Sequence, residues 1–369
     1  MKIPFLSFDA TNKRIGPEME TAFKKVFDSK WYILGGYVQQ FEKEYAAFNK
    51  TNHCIGVSNG LDALHIALRV LGIGTGDEVI IPSNTFIASA LAVSYTGAKP
   101  VFAEPNPYTY NIDPSKITDA VTSKTKAVMP VHLYGQCCEM DAIMKICSDN
   151  DLYVVEDNAQ AQGSTYNGKI AGSFGQINGT SFYPAKNLGA LGDAGAITTD
   201  DADLAAKAAM LRNYGSEKKY IHESIGFNMR MDELQAAFLS VKLKQLANWT
   251  IERQQIASWY DKALQDTAGI ILPLTADNCT HVYHLYVIRT KKRNELQEYL
   301  NGKNIGTLIH YPVPPHLQQA YGELGFKKGD FPIAEEIADT CLSLPIYPGL
   351  SQSDVEFVAE QIKKFFKDA

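Results

Sequence analysis

Six cysteines, none in a C-x-x-C pair, are all that 369 residues offer to a zinc site or a disulfide framework. Cys137 and Cys138 are adjacent, a spacing that suits neither, so the thiols are expected to be reduced, mostly buried and without chemistry. Long apolar runs are missing too. No segment approaches the ~20 residues of a membrane span, and residues 1–9 hold too short an apolar stretch for a secretory signal. Excess charge is absent: 35 basic against 41 acidic residues give a net charge of −6. That balance argues against a general polyanion-binding surface, while leaving room for a local basic pocket around one diphosphate. There is no fixed-period repeat and no low-complexity run. These absences leave a soluble, cytoplasmic protein with no nucleic-acid, membrane or metal partner. Its 45% hydrophobic content is that of an ordinary globular chain, long enough for one large domain of roughly 200–250 residues and a smaller one.

From Gly60 onward, short apolar segments alternate with helical patterns. Segments 78–82, 100–102, 127–133, 152–156, 179–182 and 194–198 read as buried strands. Segments 61–71, 87–96, 139–149 and 201–213 read as helices, the first with Leu64, Ala67, Leu68 and Leu71 on one face. That rhythm predicts an α/β fold with a mostly parallel sheet between helices. Residues 232–249 read as a longer amphipathic helix continuing into a second at 251–264. A boundary here divides a large domain, 1–248, from a smaller α+β domain, 249–369. In the smaller one, strands at 282–289 and 307–311 and helices at 293–301, 334–341 and 352–366 are expected. Gly35-Gly36 precedes a helix at 37–50, and the segment 1–50 is expected to pack on the large domain or on a partner subunit.

Several polar segments sit at the ends of these strands. Val57-Ser58-Asn59-Gly60-Leu61 opens a helix, where free N–H groups and the positive dipole end suit a phosphate, although an Asn-Gly turn is often only a turn. The apolar strand at 152–156 ends in Asp157, at the edge where open α/β sheets bind ligands; a helix cap is the plainer role for such an aspartate. Ser181 ends the next strand. Lys186 follows in Tyr183-Pro184-Ala185-Lys186, ahead of a stretch with three glycines and one charge, an odd setting for a solubilising lysine and a natural one for tight backbone around a ligand. A lysine can hold the aldehyde of pyridoxal phosphate as a Schiff base, and a carboxylate facing the pyridine nitrogen keeps that ring electron-withdrawing. Lys186 and Asp157 suit those two tasks. Phe86 offers a face to stack on such a ring, or simply packs in the core. Gln160 either meets the cofactor's phenolic oxygen and ring or faces solvent.

Ser58–Leu64, Pro82–Phe86, Val154–Gln160, Ser181–Gly189 and Gly226–Ala237 together resemble the signature blocks of the DegT/StrS-type nucleotide-sugar aminotransferases, in the same order and at compatible spacing along nearly the whole chain. The resemblance implies the aspartate-aminotransferase fold and a pyridoxal phosphate cofactor that passes through its pyridoxamine form. Carried over position by position, it makes Lys186 the Schiff-base lysine, Asp157 the partner of the ring nitrogen, Gln160 an adjacent ring contact and Phe86 the stacking aromatic. It makes Gly60, Leu61 and Ser181 the phosphate cradle, and Asn228 an asparagine that reaches the cofactor phosphate of the neighbouring subunit, so a homodimer with shared sites is implied. His310 and Tyr311 fall in the block that approaches the sugar, and a rigid proline-rich loop is their structural alternative. Tyr183 and Lys219 are candidates for the nucleotide diphosphate, Lys219 being equally a solvated charge.

Relatives that dehydrate rather than aminate carry histidine at the lysine position. Lys186 therefore favours an aminotransferase, with glutamate as the implied donor and a nucleotide-linked keto sugar as acceptor. The form Asn59-Gly60-Leu61-Asp62 resembles members acting at C3 of a dTDP-3-keto-6-deoxyhexose. Amination at C4 or of a cyclitol, a sugar dehydratase, and an idle regulatory homologue are the alternatives.

Overall fold

The computed structural model describes residues 2–368. Its central sheet follows from the apolar runs. Lys99–Ala103, Glu78–Pro82, Thr125–Val128 and Tyr153–Val154 lie side by side in that order, all parallel. A parallel bridge between Asp157 and Gly179 carries the order on to Asn178–Ser181. Gly195–Thr199 then runs antiparallel to both Asn178–Ser181 and His53–Val57. Val79, Ile81, Ala127, Val155 and Ile197 point into a core with Leu64, Ala67 and Leu68 of helix Gly60–Val70. The opposite face holds Ile80, Val128 and Val154 against helix Met140–Asp149. Side chains on both faces are buried because helices cover both.

The expected strands and helices of the sheet are present with shifted ends, and four departures are physical. His53–Val57 is a strand although it precedes the segment from which alternation was read. The helix expected over 232–249 breaks early, into Glu233–Leu243 and Leu246–Leu264. Lys242, Leu243, Lys244 and Gln245 are all good helix formers, so packing rather than propensity places that break. The strand expected at 307–311 reduces to one bridge between Leu308 and Ser343, on the edge of Cys341–Leu344 opposite the one paired with Tyr286–Arg289, and Pro312 follows with no N–H to extend it. Finally, the N-terminal residues divide. Helix Asp9–Ser29 buries Ala22 and Val26 against Ala237 and Phe238, whereas Ile3 packs among Ile256, Tyr260, Leu296 and Ile305 of the C-terminal core. Ile3 N donates to Asn304 O at 3.0 Å, and Gly306 N returns a bond to Ile3 O at 2.8 Å.

The helix Leu246–Leu264 crosses from one unit to the other. Leu246 packs with Phe41, Phe182 and Leu239, while Ile256, Ala257, Tyr260 and Leu264 belong to the C-terminal core. No helix among the described residues is long and apolar enough to cross a membrane.

Candidate active site

Asp157 leaves the sheet between two parallel strands, with His132 N donating to its carbonyl at 3.1 Å. The residue is 6% exposed. Oδ2 accepts from Ser89 Oγ at 2.8 Å and Oδ1 from Ala159 N at 3.1 Å. The aspartate thus closes a local turn but caps no helix. Burial pushes its carboxyl above the ordinary range, opposed by those two hydrogen bonds and by the charge of Lys186. The neighbouring Glu156 faces the other way and serves the fold. It pairs with His132 Nε2 at 2.7 Å and accepts from the main-chain N–H groups of Gly172, Phe174 and Gly175. Because His132 Nδ1 accepts from Cys138 N at 3.1 Å, the imidazole proton lies on Nε2, toward Glu156.

Lys186 ends a turn in which its own N donates to Tyr183 O at 2.8 Å. The turn is tight: a Cβ on Gly189 would stand 2.1 Å from Pro184 O. Gln162 holds it from below, donating to Ser181 O at 2.7 Å and accepting from Leu188 N. Asn187 ties it to the C-terminal unit through Val282 O at 2.9 Å. Desolvation lowers the Lys186 ammonium to about 8, with Asp157 pulling the other way. The neutral amine is therefore abundant near physiological pH. For cofactor-free protein, the rate at which Lys186 captures pyridoxal phosphate should rise about tenfold per pH unit below 8 and level off above it. Following the absorbance of the lysine-bound cofactor against pH checks this; a rate still climbing to pH 10 would mean an ordinary, solvated lysine.

Helix Gly60–Val70 begins against Ser181. A Cβ on Gly60 would lie 2.5 Å from Ser181 Cβ, so only glycine leaves a concave space there. Asn59 caps the helix through Asp62 N at 2.8 Å, and no hydrogen bond among the described residues uses the N–H groups of Gly60 or Leu61. Phe86 precedes helix Ile87–Thr96 and is 50% exposed. It does not pack in the core; its ring lies 5.1 Å from that of Tyr311. Gln160 is not solvated either, since Oε1 accepts from Tyr134 N at 2.7 Å and Nε2 donates to Tyr311 Oη at 3.1 Å.

The loop from the C-terminal unit closes this side. The His310–Tyr311 peptide is cis. His310 O accepts from the Tyr134 hydroxyl, and Nδ1 pairs with Ser343 Oγ at 2.8 Å. Burial, with Lys186 nearby, lowers His310 to about 4, so its imidazole is neutral at physiological pH.

Lys186, Asp157, Phe86, Gln160, His310 and Tyr311 thus converge, with Gly60, Leu61 and Ser181 at the adjoining cradle. Tyr183 lies at the rim, 56% exposed, its N–H donating to Ser181 Oγ at 3.2 Å. Asn228 and Lys219 are not brought to this cluster within one chain. Both are exposed on the excursion between helices Ala202–Leu211 and Glu233–Leu243, where Asn228 bridges Asn213 and the Lys219 ammonium sits over the Tyr220 ring. Ser89, His132, Tyr134 and Gln162 belong to the site or its support and carried no sequence signal. Each is a lone polar residue whose partner lies in another segment.

The residues present fit pyridoxal phosphate. A half-buried lysine with its ammonium lowered to about 8 faces a buried carboxylate, and a glycine-only cradle opens at unoccupied helix N–H groups.

The sequence pattern described as the DegT/DnrJ/EryC1/StrS aminotransferase family matches residues 13–363. A dTDP-3-amino-3,6-dideoxy-alpha-D-galactopyranose transaminase of Aneurinibacillus thermoaerophilus is 52% identical over 363 residues, covering 98% of this chain and 99% of its own. DesV of Streptomyces venezuelae, solved in complex with a ketimine intermediate, superposes with a TM-score of 0.97 at 45% identity, covering 99% of each chain. NtdA of Bacillus subtilis, solved with bound cofactor PMP, matches with a TM-score of 0.90 at 34% identity, over 98% of this chain and 85% of its own.

Proposed function

The chain belongs to the DegT/DnrJ/EryC1/StrS aminotransferase family, and from that premise we propose that it transfers an amino group from glutamate to C3 of a dTDP-3-keto-6-deoxyhexose. The pairing of Lys186 with Asp157 beside the Gly60–Ser181 cradle carries the amino-transfer chemistry. The C3 position is supported by the 52% identical relative, whose name places the amine at C3.

Pyridoxal phosphate, when bound, supplies the carbonyl that takes up the amine and the ring that withdraws electrons from the reacting carbon. The chain's own residues do the rest. Asp157 holds the proton on the ring nitrogen, and Ser89 and Ala159 N fix the direction of its carboxylate. The Gly60 and Leu61 N–H groups and Ser181 Oγ hold the phosphate at the helix N-terminus. Phe86 covers a ring face. The Lys186 amine, neutral in a substantial fraction at pH 7–8, carries the proton that leaves the donor's α-carbon and the proton that arrives at sugar C3. His310 and Tyr311 meet sugar hydroxyls as neutral groups, and Tyr183 and Lys219 meet the diphosphate.

The active unit is a dimer in which Asn228 and Lys219 serve the partner's site. Their exposure away from their own Lys186 supports this, as do the bare side chains of Tyr220 and Ile225, 83% and 88% exposed on the same excursion. Sedimentation should find a dimer, and Asn228→Ala should weaken cofactor retention; a fully active monomer would refute the shared site. Unpaired cysteines throughout the described residues suit a reducing cytoplasm. The substrate assignment is tested by loading the protein with pyridoxamine phosphate and mixing it with a panel of 3-keto and 4-keto nucleotide sugars. Return of the pyridoxal absorbance with a dTDP-3-keto sugar is expected, and a response confined to 4-keto sugars would reject C3.

A further inference from the structure

Asp157 takes one of its hydrogen bonds from a hydroxyl that a second hydroxyl holds. Ser89 Oγ donates to Asp157 Oδ2 at 2.8 Å, and Thr85 Oγ1 lies 2.8 Å from Ser89 Oγ. Both hydroxyl residues are buried, Ser89 at 0% and Thr85 at 1% exposure. A serine hydroxyl carries one proton. Because an ionised Asp157 only accepts, that proton is committed to Oδ2, and the bond between the hydroxyls runs one way: Thr85 donates and Ser89 accepts. The carboxylate thus ends an ordered chain that starts at Thr85.

Ser89 has another acceptor within reach. Hydroxyls inside a helix commonly turn back to the carbonyl three or four residues earlier, and two others on helix Ile87–Thr96 do so. Ser94 Oγ donates to Ala90 O at 3.1 Å, and Thr96 Oγ1 donates to Val93 O at 2.7 Å. Ser89 departs from that habit. The residue four positions before it is Thr85, whose hydroxyl rather than carbonyl is its partner. Phe86, between them, precedes the same helix and sets its ring against Tyr311. One helix start therefore carries both the aromatic of the site and the hydroxyl pair that bears on Asp157.

The consequence lies in where a proton sits. Burial strengthens Asp157 as a base, and the Ser89 bond weakens it. A carboxylate deprived of that donor competes better for the proton it shares with the ring nitrogen it faces, and the ring loses charge. Hydrogen bonds in a chain polarise one another, so the Thr85 hydroxyl strengthens the bond that Ser89 makes.

We propose that Thr85 is a positioning residue for amino transfer: its hydroxyl directs Ser89 onto Asp157, and the pair keeps the proton on the ring nitrogen of the cofactor. The inference rests on the reading that Asp157 faces that nitrogen. Thr85 acts through Ser89 and Asp157 rather than by contact with substrate. Both half-reactions need an electron-withdrawing ring, so both should slow together.

Pyridoxal phosphate labelled with heavy nitrogen in its ring is the probe, because the magnetic resonance of that nitrogen reports its protonation in the loaded enzyme. Thr85→Val and Ser89→Ala should each move the resonance part of the way from the protonated to the neutral position, and Asp157→Asn should move it further. Thr85→Ser, which keeps the hydroxyl, should leave it where the unsubstituted enzyme has it. In rapid mixing, Thr85→Val should slow both half-reactions about fivefold, the worth of one ordinary hydrogen bond, with half-saturation by glutamate unchanged. A resonance unmoved in Thr85→Val and Ser89→Ala would overturn the proposal, even if both variants melt earlier, since lost stability alone marks a structural pair. A shift in Thr85→Ser as large as in Thr85→Val would also overturn it, because the hydroxyl would then not be the cause. Asp157→Asn separates the two readings. If it moves the resonance while the hydroxyl variants do not, only the chain from Thr85 fails; if it leaves the resonance in place, the contact between Asp157 and the ring nitrogen fails as well.

Discussion

Lys186→Ala should lower turnover by about 10⁴-fold or more and should leave protein whose cofactor absorbance borohydride no longer fixes. Two losses combine in this variant. The covalent tether disappears, and so does the amine that moves the proton between donor, cofactor and sugar carbon. They can be separated. A small primary amine such as methylamine, neutral enough at pH 9 to enter the space left by the side chain, should restore part of the turnover without restoring the borohydride-fixed bond to protein. Full activity in Lys186→Ala would place the chemistry elsewhere. Retained fixation of cofactor to the variant would give the tether to another lysine, and Lys242, buried and also lowered to about 8, is the first to examine.

Asp157→Asn should lower turnover by about 10²–10³-fold, because an amide cannot keep the ring nitrogen protonated as a carboxylate does. Its effect on stability should have the opposite sign. The folded-state value of Asp157 is raised above 3.8 by burial, so ionising it in the native state works against the fold. Below the unfolded-state value both states are protonated and the penalty is absent; it grows as pH rises from there to the raised folded value and is complete above it. Asparagine carries no such penalty. Cofactor-free Asp157→Asn should therefore melt above cofactor-free wild-type protein at neutral pH, with the difference fading in acid. A melting temperature that falls equally at every pH would instead make Asp157 a structural residue. Activity and stability pulling apart at one carboxyl is the signature of a group placed for function.

The sheet was legible because both of its faces are buried, so its strands are continuous apolar runs such as Val79-Ile80-Ile81. Lys186 and Asp157 were legible for the converse reason: each adjoins an apolar or glycine-rich run where charge is otherwise scarce. Partners recruited across the fold left no trace. Ser89 sits in the apolar helix Ile87–Thr96 and meets Asp157 only through tertiary packing. Gln162 and Tyr134 are polar residues of loops whose bonds connect segments far apart in sequence. The break before Leu246 had no local cause either, since it is set by the junction of two cores. Gln160 shows a middle case. Its position was readable, but its engagement with Tyr134 N and Tyr311 depended on a loop from the other unit.

The seat of Ile3 bears on how the protein is made. Its side chain lies in a core that also needs Ile256, Leu296, Ile305, Val358 and Ile362. During synthesis, which exposes the chain from its amino end, the segment around Ile3 leaves the ribosome long before most of its packing partners exist. The larger unit has its strands by Thr199 and can condense early, whereas the smaller one must join Ile3 to partners as late in the chain as Ile362. Ile3→Ala is thus an alteration of an element that closes late, and its cost should appear as slow maturation of the carboxyl-terminal unit rather than as disorder near residue 3.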